Sequence, residues 1–189
     1  MKKTLVFLVA VIMSVSLGYA QQVDKRKVQA VEVEIAGGTG IGMYKLGFDQ
    51  NRLMLVGRGE VRYNFPSGAF DLGLGAQITR MERVSLSVTP SQYDVFPAWQ
   101  LYLVGDYNWQ TSNNLSLFAG LAAGFSRWTQ ASGYAASIVP DKWSPYIAPR
   151  VGVEAWNRLR VTLSANLMNK ETNFVGLSLG YAFGGKPLK

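Results

Sequence analysis

The sequence predicts an all-β protein: an eight-stranded antiparallel up-and-down transmembrane β-barrel preceded by a cleavable signal peptide. Three observations support this fold class. Apolar and polar residues alternate in eight segments, the connections between these segments alternate in length, and aromatic residues are concentrated at one end of the apolar faces. No segment between them shows the periodicity of a helix.

The alternation is clearest in the stretch Leu53 to Phe65, LMLVGRGEVRYNF. One set of alternate residues is apolar or glycine, and the other contains Arg58, Glu60 and Arg62. Successive side chains of a strand point to opposite faces, so the stretch predicts a strand with one apolar and one ionic face. A soluble sheet would bury the apolar face, whereas a membrane barrel would turn it to lipid. This strand alone leaves both arrangements open.

Residues 1–20 resemble a secretory signal peptide, with two lysines after the first Met, an apolar run from Leu5 to Leu17, and small residues before the junction at Ala20. The apolar run is shorter than the roughly 20 residues that span a bilayer. We predict cleavage after Ala20 and a short periplasmic lead-in at 21–28. No later stretch approaches the roughly 18 consecutive apolar residues of a transmembrane helix, so export predicts either a soluble compartment or an outer-membrane barrel.

The same alternation predicts the other strands and places the barrel at 29–183, followed by a short C-terminal tail at 184–189. The links after the second, fourth and sixth strands are short, and those after the first, third and fifth are longer. Short periplasmic turns and longer outer loops produce this rhythm in bacterial barrels. The predicted strands are 29–43, 53–65, 69–81, 98–109, 115–128, 146–156, 159–168 and 174–183.

Charge is absent from the middle of every predicted apolar face. The exceptions, Arg80 and Arg127, lie at strand ends. An arginine at the membrane centre on the lipid face would cost roughly 2–4 kcal/mol, and much less near the interface. The two arginines are therefore predicted to contact lipopolysaccharide phosphates.

Aromatic residues of the apolar set cluster beside the short turns. Aromatic rings favour the membrane interface, which predicts a girdle at the periplasmic end of the barrel. The opposite end is marked more sparsely, by Trp99 and Phe125. The predicted girdle consists of Tyr63, Phe65, Phe70, Tyr107, Trp109, Tyr181 and Phe183.

The inward set carries charges that fall mostly in the periplasmic half. Charges in a low-dielectric enclosure have to be paired, so these residues predict an ionic plug that closes a narrow lumen. The alternative is a small pore for ions or small solutes. The predicted plug consists of Glu32, Glu34, Arg58, Glu60, Arg62, Asp71, Asp106, Arg150, Glu154 and Arg160.

Several kinds of chemistry are not supported by the sequence. The chain has no histidine and no cysteine, which excludes histidine-based nucleophilic catalysis and a disulfide framework. The carboxylates show no metal-binding loop, and the glycine-rich 37–42 lacks the spacing and the helix of a nucleotide-binding motif. Glycines facing a narrow interior explain that motif instead. We predict a non-enzymatic protein with no cofactor, no metal and no nucleic-acid partner.

A secreted lipocalin-like barrel with the apolar set inside is the soluble alternative. It requires neither an aromatic rim nor inward residues that are largely Gly, Ala and Ser. The longer connections 82–97 and 129–145 carry Tyr93, Phe96, Tyr134 and Trp143. These aromatics either bind a surface partner or rest on the rim of the barrel.

The junction Ala20-Gln21, the eight amphipathic strands and the closing strand FVGLSLGYAF resemble the small outer-membrane β-barrel proteins of Gram-negative bacteria, particularly the barrels of Bacteroidetes-type organisms. The resemblance implies residence in the cell outer membrane among its lipid and lipopolysaccharide, insertion by the barrel assembly machinery, and a structural or surface-interaction role. The family commonly ends its closing strand, and the chain, on an aromatic residue. Here Phe183 matches that residue, but 184–189 follow it.

Overall fold

The structure is a computed structural model of the chain, and it describes residues 30–43, 53–65, 69–85, 92–112, 114–129, 143–168 and 172–184. These residues form one closed barrel in which each strand is antiparallel to its neighbours. The predicted fold class is thereby confirmed. The strands are β1 Val31–Gly42, β2 Leu53–Asn64, β3 Phe70–Ser85, β4 Gln92–Ser112, β5 Leu115–Trp128, β6 Trp143–Ala155, β7 Leu159–Asn166 and β8 Phe174–Phe183.

The predicted signal peptide at 1–20, the lead-in at 21–28 and all of the tail after Gly184 lie outside the described residues. The barrel closes where β1 pairs with β8, from Val33 opposite Phe183 to Gly42 opposite Phe174. Closure satisfies the backbone of both terminal strands, which would otherwise be free edges. None of the described residues belongs to a helix long and apolar enough to cross a membrane.

The two sets of alternate residues occupy opposite sides of the barrel wall. In β2, Leu55 and Val61 are exposed on the outer face, whereas Arg58, Glu60 and Arg62 are buried inside. Most of the large apolar side chains of the other strands are likewise exposed. The lipocalin-like alternative requires the opposite orientation, and the structure does not have it.

The connection predicted at 82–97 is wrong over most of its length. Strand β3 continues to Ser85 and β4 begins at Gln92, and the two remain paired from Glu82 opposite Val95 to Ser85 opposite Gln92. The alternation of apolar residues ends before Ser85, because it marks only the part of a strand whose outer face is apolar. Backbone pairing between two strands does not require an apolar outer face. The β-branched and aromatic residues at the ends of β3 and β4 favour continued pairing.

Smaller differences occur at other strand ends. Strand β6 begins at Trp143, so the predicted connection 129–145 is shorter by three residues and Trp143 belongs to a strand. Strand β4 continues to Ser112 with an irregularity between Gln110 and Ser112, which shortens the predicted turn at 110–114. Strand β7 ends at Asn166, and an isolated bridge joins the next residue to Ile147.

The β6–β7 connection is a tight turn in which the Arg158 N–H donates to the Ala155 carbonyl at 3.0 Å. Its two central residues, Trp156 and Asn157, both have φ of 53°. Positive φ at both central positions is the requirement of a type I′ turn, whose twist matches that of the flanking strands. Trp156 therefore belongs to the turn and not to the predicted strand.

This turn gives a first testable prediction. Asn157→Val is expected to destabilise the barrel by about 1–2 kcal/mol, because a β-branched residue is strained in the left-handed region. Asn157→Gly is the matched control and is expected to be neutral or slightly stabilising, since glycine adopts this conformation without strain. Urea unfolding of the refolded variants measures the difference, and equal stability of the two variants would contradict the turn geometry.

The glycine-rich stretch is only partly explained by a narrow interior. A Cβ on Gly38 would lie 2.6 Å from the Ser178 Cα, and one on Gly40 would lie 2.6 Å from the Phe174 ring. Gly37 faces outward, where a Cβ would meet nothing within 4 Å. The interior explanation is therefore wrong for Gly37, and the structure offers no physical reason for a glycine there.

Candidate functional site

All ten residues of the predicted ionic plug lie inside the barrel, and each is at least nine-tenths buried. These residues lie in layers across the interior, because every second residue of a strand points inward. Glu32 of β1 lies opposite Arg62 of β2, and Glu154 of β6 lies opposite Arg160 of β7. Opposite charges in directly facing positions stabilise the strand pair.

Other facing positions bring like charges together. Glu34 lies opposite Glu60 between β1 and β2, and Asp71 lies opposite Asp106 between β3 and β4. Such pairs are destabilising unless other groups compensate them. For Glu34, Glu60 and Asp106 the compensation comes from the arginines of β2, β6 and β7.

Asp106 is the first centre of this network. Arg150 donates to it through two nitrogens, Nε to Oδ1 at 2.8 Å and Nη2 to Oδ2 at 2.5 Å. Arg160 Nη2 donates to the same Oδ2 at 2.6 Å, and Arg62 Nη1 lies 3.6 Å from it. Three guanidinium groups from β2, β6 and β7 thus converge on one carboxylate of β4. A carboxylate that is held by two nitrogens of one guanidinium group is fixed in orientation as well as paired in charge.

Glu34 is the second centre. Arg58 Nη2 lies 2.8 Å from its Oε1, and Arg62 Nη2 lies 2.8 Å from its Oε2. Arg160 Nη1 approaches the same Oε2 at 3.7 Å. Arg62 also contacts Glu32 at 2.9 Å. Arg62 and Arg160 connect the two centres, because each of them approaches both Glu34 and Asp106.

Glu60 lies between the centres and joins them to the next layer. Its Oε1 accepts from Arg150 Nη1 at 2.6 Å and from the Tyr102 hydroxyl at 2.9 Å. Arg58 Nε lies 3.4 Å from the same oxygen. The guanidinium of Arg160 lies over the Phe118 ring at 3.7 Å, a cation–π contact. Tyr102 and Phe118 were not predicted as site residues, although their inward parity was readable from the sequence.

Asp71 is held differently from the other carboxylates. Its Oδ2 accepts a hydrogen bond from the neutral amide of Asn108 at 2.8 Å. Within the part of the chain that the structure describes, no arginine forms an ion pair with Asp71. The ten residues therefore comprise six carboxylates and four guanidinium groups, with Asp71 outside the paired set. No group of side chains suited to a metal ion occurs among the described residues.

Above the ionic layer, the interior is neutral and hydrogen-bonded. The Tyr146 hydroxyl donates to Asn166 Oδ1 at 2.8 Å, and Thr79 Oγ1 donates to Gln100 Oε1 at 3.3 Å. A small cavity lined by Arg58, Gln77, Phe174 and Ser178, among others, measures about 10 Å³. That volume is on the order of a single water molecule.

The interior at the long-connection end contains an apolar cluster. Met54, Ala98, Trp128 and Phe174 form a buried apolar cluster at the long-connection end. All four belong to the inward parity of their strands.

The predicted girdle residues lie on the outer face at the short-turn end. Tyr63, Phe65, Phe70 and Phe183 are exposed, and the other three are half-buried. Neighbouring rings contact one another, with centroid distances of 5.3 Å for Tyr63 and Phe65 and 4.8 Å for Tyr181 and Phe183. Tyr107 and Trp109 form another such pair at 4.8 Å. Edge-to-face pairs of this kind are favourable.

The two predicted phosphate contacts, Arg80 and Arg127, are exposed on the outer face at the long-connection end. Arg127 lies over the Trp143 ring at 5.8 Å. Of the aromatics in the predicted loops, Trp143 is thus on the barrel wall, Tyr134 lies outside the described residues, and only the backbone of Tyr93 and Phe96 is described.

These features define a closed eight-stranded barrel with an apolar outer face and an ionic interior, the fold of eight-stranded outer-membrane β-barrel proteins. The chain is similar to the crystal structure of Neisserial surface protein A, with a TM-score of 0.57 and 14% identity, over 83% of this chain and 98% of that one. It is also similar to the N-terminal β-barrel domain of Pseudomonas aeruginosa OprF, with a TM-score of 0.50 and 14% identity, over 82% of this chain and 99% of that one.

At this level of identity the similarity establishes the fold alone. No protein-family model matches the chain. No curated protein matches it either. The narrower resemblance to Bacteroidetes-type barrels therefore stays a prediction.

Proposed function

We propose that the protein is a non-enzymatic barrel of the outer membrane of a Gram-negative bacterium, with a structural or surface-interaction role and a lumen closed to solutes. The exposed apolar band supports this location, because such a band is stable in lipid and unfavourable in water. The aromatic pairs at the short-turn end supply the interfacial anchor. The short-turn end then faces the periplasm, and the long-connection end faces outward.

The ion-pair network is the observation that best supports a closed lumen. Arg150 and Arg160 reach from β6 and β7 to Asp106 on β4, so ion pairs cross the interior. Any solute would have to break these buried pairs and leave charges uncompensated, which costs about 3–5 kcal/mol for each pair broken. The apolar cluster around Phe174 lies between this network and the outer end.

Planar-bilayer recording tests the closed lumen. The purified, refolded protein is expected to give no stable openings above baseline, in membranes where a reference porin conducts. A heat-modifiability gel on the same preparation verifies that the barrel is folded. Reproducible openings of defined conductance would contradict the closed lumen and favour the small pore.

The location has a separate test. The protein is expected to fractionate with outer-membrane lipid and to shift on a heat-modifiability gel, as an inserted barrel does. Depletion of the barrel assembly machinery is expected to reduce the shifted form. An unshifted band in the soluble fraction would contradict the membrane location.

A surface partner is the less constrained part of the proposal. Strands β3 and β4 remain paired up to Ser85 and Gln92, and this paired ribbon lies at the end of the barrel that would face outward. A variant that lacks the paired ends of β3 and β4 but keeps the barrel would separate the two roles. If the role is surface interaction, this variant loses binding to the partner. If the role is structural, it retains its contribution to membrane integrity.

A further inference from the structure

We propose that Arg127, flanked by Trp99 and Trp143 on the outer face, is a binding site for a phosphate of lipopolysaccharide, with Arg80 as its second cation. The proposal rests on the outer-membrane location proposed above. It is independent of whether the lumen conducts.

The register places the three residues in one row across three strands. Trp99 of β4 lies opposite Arg127 of β5, and Arg127 lies opposite Trp143 of β6. Facing side chains in a sheet lie about 5 Å apart, so the arginine stands between two indoles. Both tryptophans are more than half exposed, at 54% and 55%, and the guanidinium carbon lies 5.8 Å from the Trp143 ring centre.

This arrangement suits the headgroup region of a membrane. Indole rings favour the interface, and a cation over an indole face is attracted by the ring quadrupole. A guanidinium that stacks on a ring still presents N–H donors along its edge, and these match the oxygens of a phosphate in pairs. The contact with Trp143 thus restricts the arginine side chain and reduces the entropy that binding would otherwise cost.

A second cation favours a lipid with more than one phosphate. Arg80 is exposed on β3, two strands from Arg127, and its partner Pro97 is two residues from Trp99, the partner of Arg127. Strand spacing and rise together give a separation of roughly 12 Å. Both arginines lie at the long-connection end, which faces the outer leaflet in the proposed orientation. The multiply phosphorylated lipid of that leaflet is lipopolysaccharide, whereas most phospholipids carry one phosphate.

Native mass spectrometry of the refolded barrel in detergent tests the site, with phosphorylated lipid A, dephosphorylated lipid A and phosphatidylglycerol as probes. Phosphorylated lipid A is expected to bind the wild type most tightly. Arg127→Gln is expected to weaken it about tenfold or more, since a charge-assisted hydrogen bond is lost. Trp143→Leu, which keeps an apolar side chain and removes the ring, is expected to weaken it by a few-fold.

Arg158→Gln is the matched control. Arg158 is also exposed but lies in the turn at the opposite end, where it donates to the Tyr181 hydroxyl at 3.1 Å. Its substitution is expected to leave lipid A binding unchanged. The proposal is overturned if Arg127→Gln binds as the wild type does, or if dephosphorylated lipid A or phosphatidylglycerol binds as tightly as phosphorylated lipid A. Membrane fractionation reports separately on the location, so the two failures are distinguishable.

Discussion

Asp106→Asn is expected to destabilise the barrel by roughly 3–5 kcal/mol, the usual cost of removing one partner from a buried ion pair. The substitution preserves the shape of the side chain and removes its charge. Arg150 and Arg160 would then lose the carboxylate that they contact at 2.5 and 2.6 Å. Both guanidinium groups are buried, so water does not replace the lost charge.

Asp71→Asn is the matched control, because Asp71 lies directly opposite Asp106 and is equally buried. Asp71 accepts a hydrogen bond from Asn108 instead of an arginine, and an asparagine oxygen accepts the same bond. Removing its charge also relieves the repulsion between the two facing carboxylates. Its substitution is expected to be neutral or stabilising.

Urea unfolding of the refolded variants, followed by tryptophan fluorescence, gives both free energies. The expected result is a clear difference between two substitutions of the same chemistry on neighbouring strands. Equal effects would mean that the interior responds only to total charge. The assignment of Asp106 as a centre of the network would then be wrong.

The alternation of residue types was sufficient to predict the fold class and the facing of the charged residues. Its period of two assigns each side chain to one side of the wall, and the placement of Arg62 and Glu34 follows from that rule alone. The rule gives no information about the strand ends. Strand β3 continues to Ser85 because its backbone pairs with β4, although the apolar pattern has already ended there.

The ion pairs inside the lumen could not be predicted from the sequence, for a different reason. Arg150 reaches Glu60 across 90 positions of the chain and Asp106 across 44. Such contacts depend on the stagger of the strands when the barrel closes, and this stagger is not encoded in the alternation of any one strand. The sequence therefore predicted which charges are enclosed, and the structure shows which of them meet.

Gly120→Ala is expected to destabilise the barrel by about 1–3 kcal/mol, the usual range for adding a methyl group to a packed interior. Gly120 lies opposite Asp106, and a Cβ there would overlap Asp106 Oδ1 and the Gly105 carbonyl oxygen. The carboxylate would have to move away from Arg150, which holds it through two nitrogens. Gly57→Ala is the matched control, since a Cβ on Gly57 points outward and meets nothing within 4 Å. Losing a glycine from a strand is expected to make that variant neutral or more stable, by up to about 1 kcal/mol.

A double-mutant cycle separates the two causes of this cost. If Gly120→Ala acts by displacing the carboxylate, its effect is expected to shrink by about 1 kcal/mol in an Asp106→Ala background, because the displaced group is absent. An undiminished effect would attribute the cost to the Gly105 carbonyl alone. If the effect does shrink, the absence of a side chain at Gly120 is part of what allows three guanidinium groups to converge on Asp106.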